Sequence, residues 1–412
     1  MSYRLFEVYG IELEYMLVNS KTFKVNPIVD KLLTTKHGSL TSDVENGRIE
    51  WSNELVAHVV ELKTNGPTAD LETLDDLFAE NVKEINELLK EFDTELLPTA
   101  AHPLMLPEME MKLWQHNYSK IYALYNRVFD CTGHGWSNVQ SMHINLPFSG
   151  DKEFEKLHAA VRILLPIIPG LSASSPILEG RFTGFKDVRM HVYKTNQKEI
   201  PEMTGKVIPE QLFSRKEYQN GIFDPINKAI KPHDKENILD HHFLNSRGAI
   251  ARFDRGAIEI RVIDVQECPK ADVAIAVFII EVLKLLVSEQ LISLEDQKSW
   301  HENDLFDIFN EVIVDAEDTV VKNEEYADIF DLQPNVTVLD IWKKLYSLVK
   351  EELSLKHQRS IEFLLQHGSL SSRILKDLGT APTADEILKV YRELGMCLQE
   401  NRFFLNTNRI NE

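Results

Sequence analysis

Three well-separated segments of this chain alternate apolar with polar or charged residues, and that period of two constrains the fold more than any other feature. In Gly10-Ile11-Glu12-Leu13-Glu14, a strand would place Glu12 and Glu14 on one face and Ile11, Leu13, Tyr15 and Leu17 on the other. The same parity in Ser141-Met142-His143-Ile144-Asn145 groups Ser141, His143 and Asn145 opposite Met142, Ile144 and Leu146. Between Arg255 and Asp264, Glu259 and Arg261 share a face, with Ile258, Ile260 and Val262 opposite. Strands of this kind belong to an antiparallel sheet that is packed on one side.

Helical spacing appears elsewhere. Leu74, Leu77, Phe78, Ile85 and Leu88 predict a helix over about Leu71–Phe92. Others are predicted over Met111–Phe129 and Phe154–Leu171, the latter kinked or ended by Pro166 and Pro169. Everything after Asp272 reads as helix, including a Thr383-x-x-Glu386 capping box. Ala271 to Val287 is apolar but holds Asp272, Glu281 and Lys284, so it reads as a buried core helix rather than a membrane span. Pro201–Asn245 lacks a clear period and is expected to be a long, partly mobile excursion. Strands early and helices late argue α+β rather than alternating α/β. With no repeat and no low-complexity linker, the 412 residues are expected to form one domain. It would comprise a sheet-containing core over 1–287 and a helical part over 288–412.

Composition narrows the function. Asp+Glu number 65 against 45 Lys+Arg, a formal net charge of -20. Such a surface repels phosphate backbones and excludes nucleic acid as a partner, while leaving room for a nucleotide held by local cations. Cys131, Cys268 and Cys397 are far apart and lack zinc-site spacing, which fits a reducing compartment. No signal peptide is visible after Met1-Ser2, so the protein is expected in the cytoplasm.

Each polar cluster admits two readings. Glu12 and Glu14 form either a solvated acidic face or a cation site, because neighbouring carboxylates repel unless solvent or a cation relieves them. His143 is either a satisfied interior histidine or a ligand. Glu259 and Arg261 are either a structural ion pair or a metal ligand beside a phosphate clamp. Glu61 ends an apolar run from Val56 and either pairs with Lys63 or joins the acidic set. Glu54 lies seven residues earlier, a spacing that a helix would align and an uninterrupted strand would not. Ala173-Ser174-Ser175-Pro176, followed by Gly184 and Asp187-Val188-Arg189, suits a tight loop beside a ligand as well as an ordinary turn. No Walker loop, dinucleotide fingerprint or nucleophile elbow is present. Metals and arginines would have to hold any nucleotide phosphates.

The order of these motifs carries more information than any one of them. Gly-Ile-Glu-Leu-Glu is followed by the strand ending at Glu61, His102-Pro103, the His143 strand, Ala-Ser-Ser-Pro, Asp-Val-Arg-Met, and Ile-Glu-Ile-Arg-x-x-Asp. This succession resembles the second type of glutamate–cysteine ligase, the bacterial carboxylate–amine ligases, over roughly Tyr9 to Val287. The resemblance implies a glutamine-synthetase-like core: a curved, mainly antiparallel sheet with helices on its outer face. It implies magnesium (or manganese) held by Glu12, Glu14, Glu61, His143 and Glu259. It assigns Arg261 and Arg255 to the phosphates of ATP, and Arg189, Ser174 and Asn145 to the amino-acid substrate, with Arg261 and Arg189 catalytic. The implied reaction activates a carboxylate, in glutamate the side-chain one, as an acyl phosphate and joins it to an amine such as that of cysteine. The implied partners are small molecules, with a homo-oligomer open. A two-metal hydrolase and a non-catalytic protein of the same fold are the rival readings.

Overall fold

The computed structural model describes residues 3–239 and 241–405, with the backbone only for 241 and 242. Met1-Ser2, where the signal-peptide reading begins, and Asp240 in the expected excursion lie outside the described residues.

An eight-stranded antiparallel sheet organises the chain. Its strands are β1 (Gly10–Asn19), β2 (Asp43–Asn46), β3 (Ile49–Asn53), β4 (Val59–Thr64), β5 (Thr94–Leu97), β6 (Ser141–Pro147), β9 (Ala249–Arg252) and β10 (Ala257–Asp264). The order is β2-β3-β4-β1-β6-β10-β9, and β5 pairs with the far end of β1. Two short hairpins, β7 (Ile177–Leu178) with β8 (Arg181–Phe182) and β11 (Val320–Val321) with β12 (Val336–Thr337), stand apart.

Parity explains how the sheet packs. Ile11, Leu13, Tyr15, Met142, Ile144, Leu146, Ile258 and Ile260 are all buried in one apolar cluster with the covering helices. Those helices include Leu74–Leu89, Gly150–Leu164 and Pro269–Val287. The last is buried nearly all round, as a core helix should be. The site face of β1 turns apolar beyond Glu14: Met16 and Val18 pack against Ile387, Tyr391 and Leu394 of the Ala384–Glu400 helix. That helix opens with the expected Thr383/Glu386 capping box. Among the described residues, no helix is long and apolar enough to cross a membrane. All three cysteines are free and buried.

Three expectations fail locally. The chain after Asp272 is not all helix, because Val320–Val321 and Val336–Thr337 pair there as a short antiparallel hairpin. The helix expected over Met111–Phe129 forms only at Ser119–Phe129. The stretch before it is held by neighbouring backbone instead: Ala57 N–H donates to Lys112 O at 2.8 Å, and Trp114 N–H to Leu55 O at 2.9 Å. Pro201–Asn245 is not a loose excursion. It buries Met203, Val207, Ile208, Tyr218, Ile222, Ile226 and Ile230. The last four recur every four residues through the Arg215–Tyr218 helix, a π-turn at Gln219–Phe223 and the Asp224–Ile230 helix. Gly221 and Pro225 hide that stripe in the sequence. The π-turn takes up the irregularity they introduce, Asp224 N–H donating to Gln219 O five residues back just ahead of Pro225.

The sheet-backing helix and the helical part after residue 287 share one core. Phe278 is fully buried and its ring centroid lies 5.2 Å from that of Trp342, whose Nε1–H donates to Ile167 O at 3.0 Å. Phe278→Ala should therefore lower unfolding free energy by roughly 3–5 kcal/mol. Leu355→Ala, at a position 71% exposed, should change it by less than about 0.5 kcal/mol. Urea titration followed by fluorescence and circular dichroism checks both.

Candidate active site

Antiparallel register converts four local patterns into one surface, because residues directly opposite each other share a face. Glu12 lies opposite His143, and Gly10 opposite Asn145. A Cβ on Gly10 would stand 3.1 Å from Asn145 Cβ, so the glycine fits the close approach there. Glu259 lies opposite Asn145 on the other side of β6. Glu14 lies opposite Glu61. β10 carries a bulge between Ile260 and Ile263, after which Asp264 faces Ser141. One extra residue thus returns an acid to the site face only three positions after Arg261, which is what the Glu-x-Arg-x-x-Asp pattern encodes.

His143 is the hub. Its Nδ1 lies 2.9 Å from Glu12 Oε2 and 3.8 Å from Glu259 Oε1. Its Nε2 lies 2.9 Å from Ser141 Oγ. The Ser141 hydroxyl donates to Glu14 Oε2 at 3.0 Å, so it takes its other bond from His143 Nε2–H. That chain turns Nδ1 toward Glu12 and Glu259. Burial works against a charged imidazole here, but the Glu12 hydrogen bond and the Glu14 and Glu12 charges outweigh it and raise the pKa to about 9. Burial likewise pushes Glu12 up, yet the His143 bond leaves it below its usual value. Glu14 has no such net relief. Burial and the Glu61 charge raise it despite His143 and the Ser141 bonds.

The seven-residue gap between Glu54 and Glu61 is neither a helix nor a single strand. It is a hairpin: Ser52 lies opposite Glu61, and Glu54 follows Ser52 by two. Glu61 therefore does obey strand parity, with Val60 and Leu62 buried opposite. Its Oε2 is taken by the Ser52 hydroxyl at 2.6 Å and Lys63 Nζ at 3.0 Å. Glu54 lines the cavity beside Glu14. Burial, then the Glu61 and Glu14 charges, raise its carboxyl well above the ordinary range. Glu14, Glu54 and Glu61 thus make a second acidic locus next to the His143 set.

Several expected site residues sit differently. Ser174 does not reach the cavity: it is fully buried, its N–H donates to Asp264 Oδ2 at 2.9 Å and its hydroxyl to Val265 O at 2.7 Å. It is spent on holding the end of β10. Arg189 lines the cavity but is 2% exposed. Its Nε–H donates to Asp264, and both terminal nitrogens donate to Arg261 O at 3.3 and 3.2 Å. It braces the bulge, leaving only its remaining N–H groups for a substrate. Asn145 Nδ2–H donates to Glu12 Oε1 at 2.9 Å, so its amide orients that carboxylate. Arg255 is largely exposed at the cavity mouth, 3.9 Å from Asp254. Arg261 reaches Glu259 Oε1 at 3.5 Å, while its buried Nε–H has no acceptor among the described residues. His102 is structural: Nδ1 accepts from Leu104 N–H, so Nε2–H donates to Phe23 O at 2.8 Å.

The residues present suit a divalent cation. Glu12, His143 and Glu259 each offer one ligand atom within 4.8 Å of the other two. Two carboxylates with one imidazole match magnesium or manganese better than a soft metal. Arg261, with its orphaned donor, suits a phosphate oxygen nearby.

Sequence reasoning passed over Arg252, whose Nη1 lies 3.9 Å from Glu259 Oε2, and undervalued Glu54 and Lys63. It also missed the walls of a cavity of about 490 Å³, supplied by the Ser119–Phe129 helix, the His134–Ser137 turn and Phe243. The signal for Arg252 was a polar–glycine turn, Arg252 to Gly256, joining two strands. The cavity walls left none.

The sequence profile described as glutamate–cysteine ligase family 2 matches residues 8–381. An uncharacterized protein of Archaeoglobus fulgidus is 32% identical over 94% of this chain and 98% of its own length. A Bradyrhizobium (strain ORS 278) protein provisionally named glutamate–cysteine ligase 2 is 25% identical, over 65% of this chain and 59% of its own length. Among solved structures, the glutamate–cysteine ligase of Francisella tularensis, crystallised with AMP, superposes with a TM-score of 0.60 at 14% identity, covering 99% of this chain and 91% of that one. The extent of the profile match and the near full-length archaeal relative establish that this chain belongs to glutamate–cysteine ligase family 2.

Proposed function

We propose that the protein is an ATP-dependent carboxylate–amine ligase that activates a carboxylate, the side chain of glutamate in the first instance, as an acyl phosphate and joins it to an amine. Family membership supports the ligase class. The observation that carries the reading is the convergence of Glu12, His143 and Glu259, from three adjacent strands, on one point beside Arg261.

Glu12, His143 and Glu259 would hold a divalent cation, with Glu14, Glu61 and Glu54 as further carboxylates beside it. Bound there, such an ion neutralises charge on a transferring phosphoryl group. The chain's own residues do the rest. Asn145 and Ser141 fix the orientation of Glu12, Glu14 and His143. Arg261 offers Nε–H to a phosphate oxygen. Arg189, tied to Asp264, keeps the Arg261 backbone in place. Buried Val56, Val59 and Tyr125 line part of the cavity and keep water from that side, where it would otherwise hydrolyse an acyl phosphate. No nucleophilic side chain is needed, since positioning and electrostatics supply the catalysis.

Glu12→Gln and Glu259→Gln should each cut ATP- and glutamate-dependent phosphate release by roughly a hundredfold or more, with the fold retained by circular dichroism. Near-normal turnover in both would remove the cation assignment, and metal-dependent hydrolysis without ATP would favour a hydrolase instead. Lys284→Ala, on the far side of the sheet and paired with Glu281, should leave turnover intact.

A pH effect follows from His143. Its folded pKa of about 9 lies above the ordinary 6.5. The stabilisation it gives the metal-free protein is therefore complete below about pH 6.5 and lost as pH rises through 9. NMR titration of the imidazole should show this midpoint fall in Glu12→Gln. Adding magnesium at pH 7 should release a proton from the wild type.

A further inference from the structure

The cavity above the acidic cluster has walls that the proposed phosphoryl chemistry does not use. Tyr118, Tyr122, Tyr125, Trp136, Tyr193 and Phe243 line it. Their polar handles are mostly committed to the protein. Tyr125 hydroxyl donates to Phe243 O, Tyr193 hydroxyl to Ser246 O, and Trp136 Nε1–H to Asn196 O, at 2.9–3.0 Å. Tyr122 hydroxyl accepts from Asn53 Nδ2–H. These walls therefore offer a ligand mostly ring surface, with the Tyr122 O–H still able to donate and Arg252 already 5.4 Å from the Phe243 ring centroid. Two of these rings are exposed at the mouth, Tyr118 at 61% and Phe243 at 62%. Tyr118 also holds a left-handed backbone, φ +70°, which a tyrosine adopts at a cost. Exposed rings at the lip of an aromatic cavity fit a ligand that covers them.

We propose that this cavity receives the amine co-substrate, and that this co-substrate is a primary amine bearing an aromatic body. The proposal rests on the ligase reading above. At about 490 Å³ the cavity falls within the size range of sites for drug-sized ligands, and it also takes in His143, Arg189, Arg255 and Arg261, so the amine shares it with the acyl phosphate. A small polar amine would leave its rings unfilled. The ring faces suit an arriving ammonium group, and a net charge of -20 draws cations inward. A nucleobase fits less well. Gln197 already accepts from the Thr204 hydroxyl and donates to Ser246 Oγ, so it has little left to read a base edge. In the reaction the bound ammonium first gives one proton to water, and the free amine nitrogen then attacks the acyl-phosphate carbonyl. A C–N bond forms, the C–O bond to phosphate breaks, and one amine proton leaves with the phosphate.

The experiment uses the full-length protein with ATP, magnesium and glutamate. Hydroxylamine is the reference nucleophile, because the hydroxamate it forms reports carboxylate activation without filling the cavity. Phenylalanine and phenethylamine are compared with cysteine and glycine, and the first two separate an amino acid from a simple amine. A kcat/KM for either aromatic amine about tenfold or more above cysteine and glycine is the expected result. Hydroxamate formation with cysteine or glycine equal or better overturns the proposal while leaving the ligase reading intact. Absence of hydroxamate overturns both. Phe243→Ala and Tyr118→Ala, at exposed positions, should lower kcat/KM for the preferred aromatic amine about tenfold more than for hydroxylamine. A rise in KM for ATP instead would place the nucleobase against these rings and overturn the assignment.

Discussion

Carboxylates gathered on one side of a sheet repel each other, and the arrangement around His143 is what holds this set together. A single imidazole lies between Glu12 and Glu259 through Nδ1, and reaches Glu14 by way of the Ser141 hydroxyl on Nε2. Lys63 and Ser52 serve Glu61 in the same way. Glu54 and Glu14 remain the least compensated members, and burial drives both toward the protonated form. Charge held out of water and left partly unpaired carries a standing cost. Proteins keep such clusters where a cation or a charged reactant relieves them.

The rest of the fold keeps that cluster rigid. The apolar sides of β1, β6 and β10 are buried under helices, so the strands cannot slip by one residue without turning acids into the core. The bulge in β10 is pinned from behind: Arg189 joins Asp264 to the Arg261 carbonyl, and Ser174 and Ser175 donate to Asp264 as well. These buried groups stand close to the reacting region while being fully occupied by the protein. They show why a polar residue in a suggestive motif is as often a brace as a ligand. The Ala384–Glu400 helix closes the end of the same face with an apolar plug over Met16 and Val18, which confines the polar surface to the strand segments that carry the acids.

The strand pattern, the acidic identity of the face and the order of motifs were legible in the sequence, because each depends on residues close together along the chain. Side-chain direction alternates with a period of two wherever a strand forms, so Glu12 with Glu14 and Glu259 with Arg261 could be paired by inspection. The capping box at Thr383 and the core helix after Pro269 were readable for the same reason. The stripe of Tyr218, Ile222, Ile226 and Ile230 was also local, but Gly221 and Pro225 within it disguised its period.

Only the tertiary structure decided which of those local faces meet. The register that sets Glu12 against His143 spans 131 residues of chain, and nothing near either residue encodes it. The hairpin that reconciles Glu54 with Glu61, the commitment of Arg189 and Ser174 to Asp264, and the ring-lined cavity over the acids arise from contacts between distant segments. Alternation fixes which way a side chain points from its own strand. What it points at depends on which strand the hydrophobic core brings alongside.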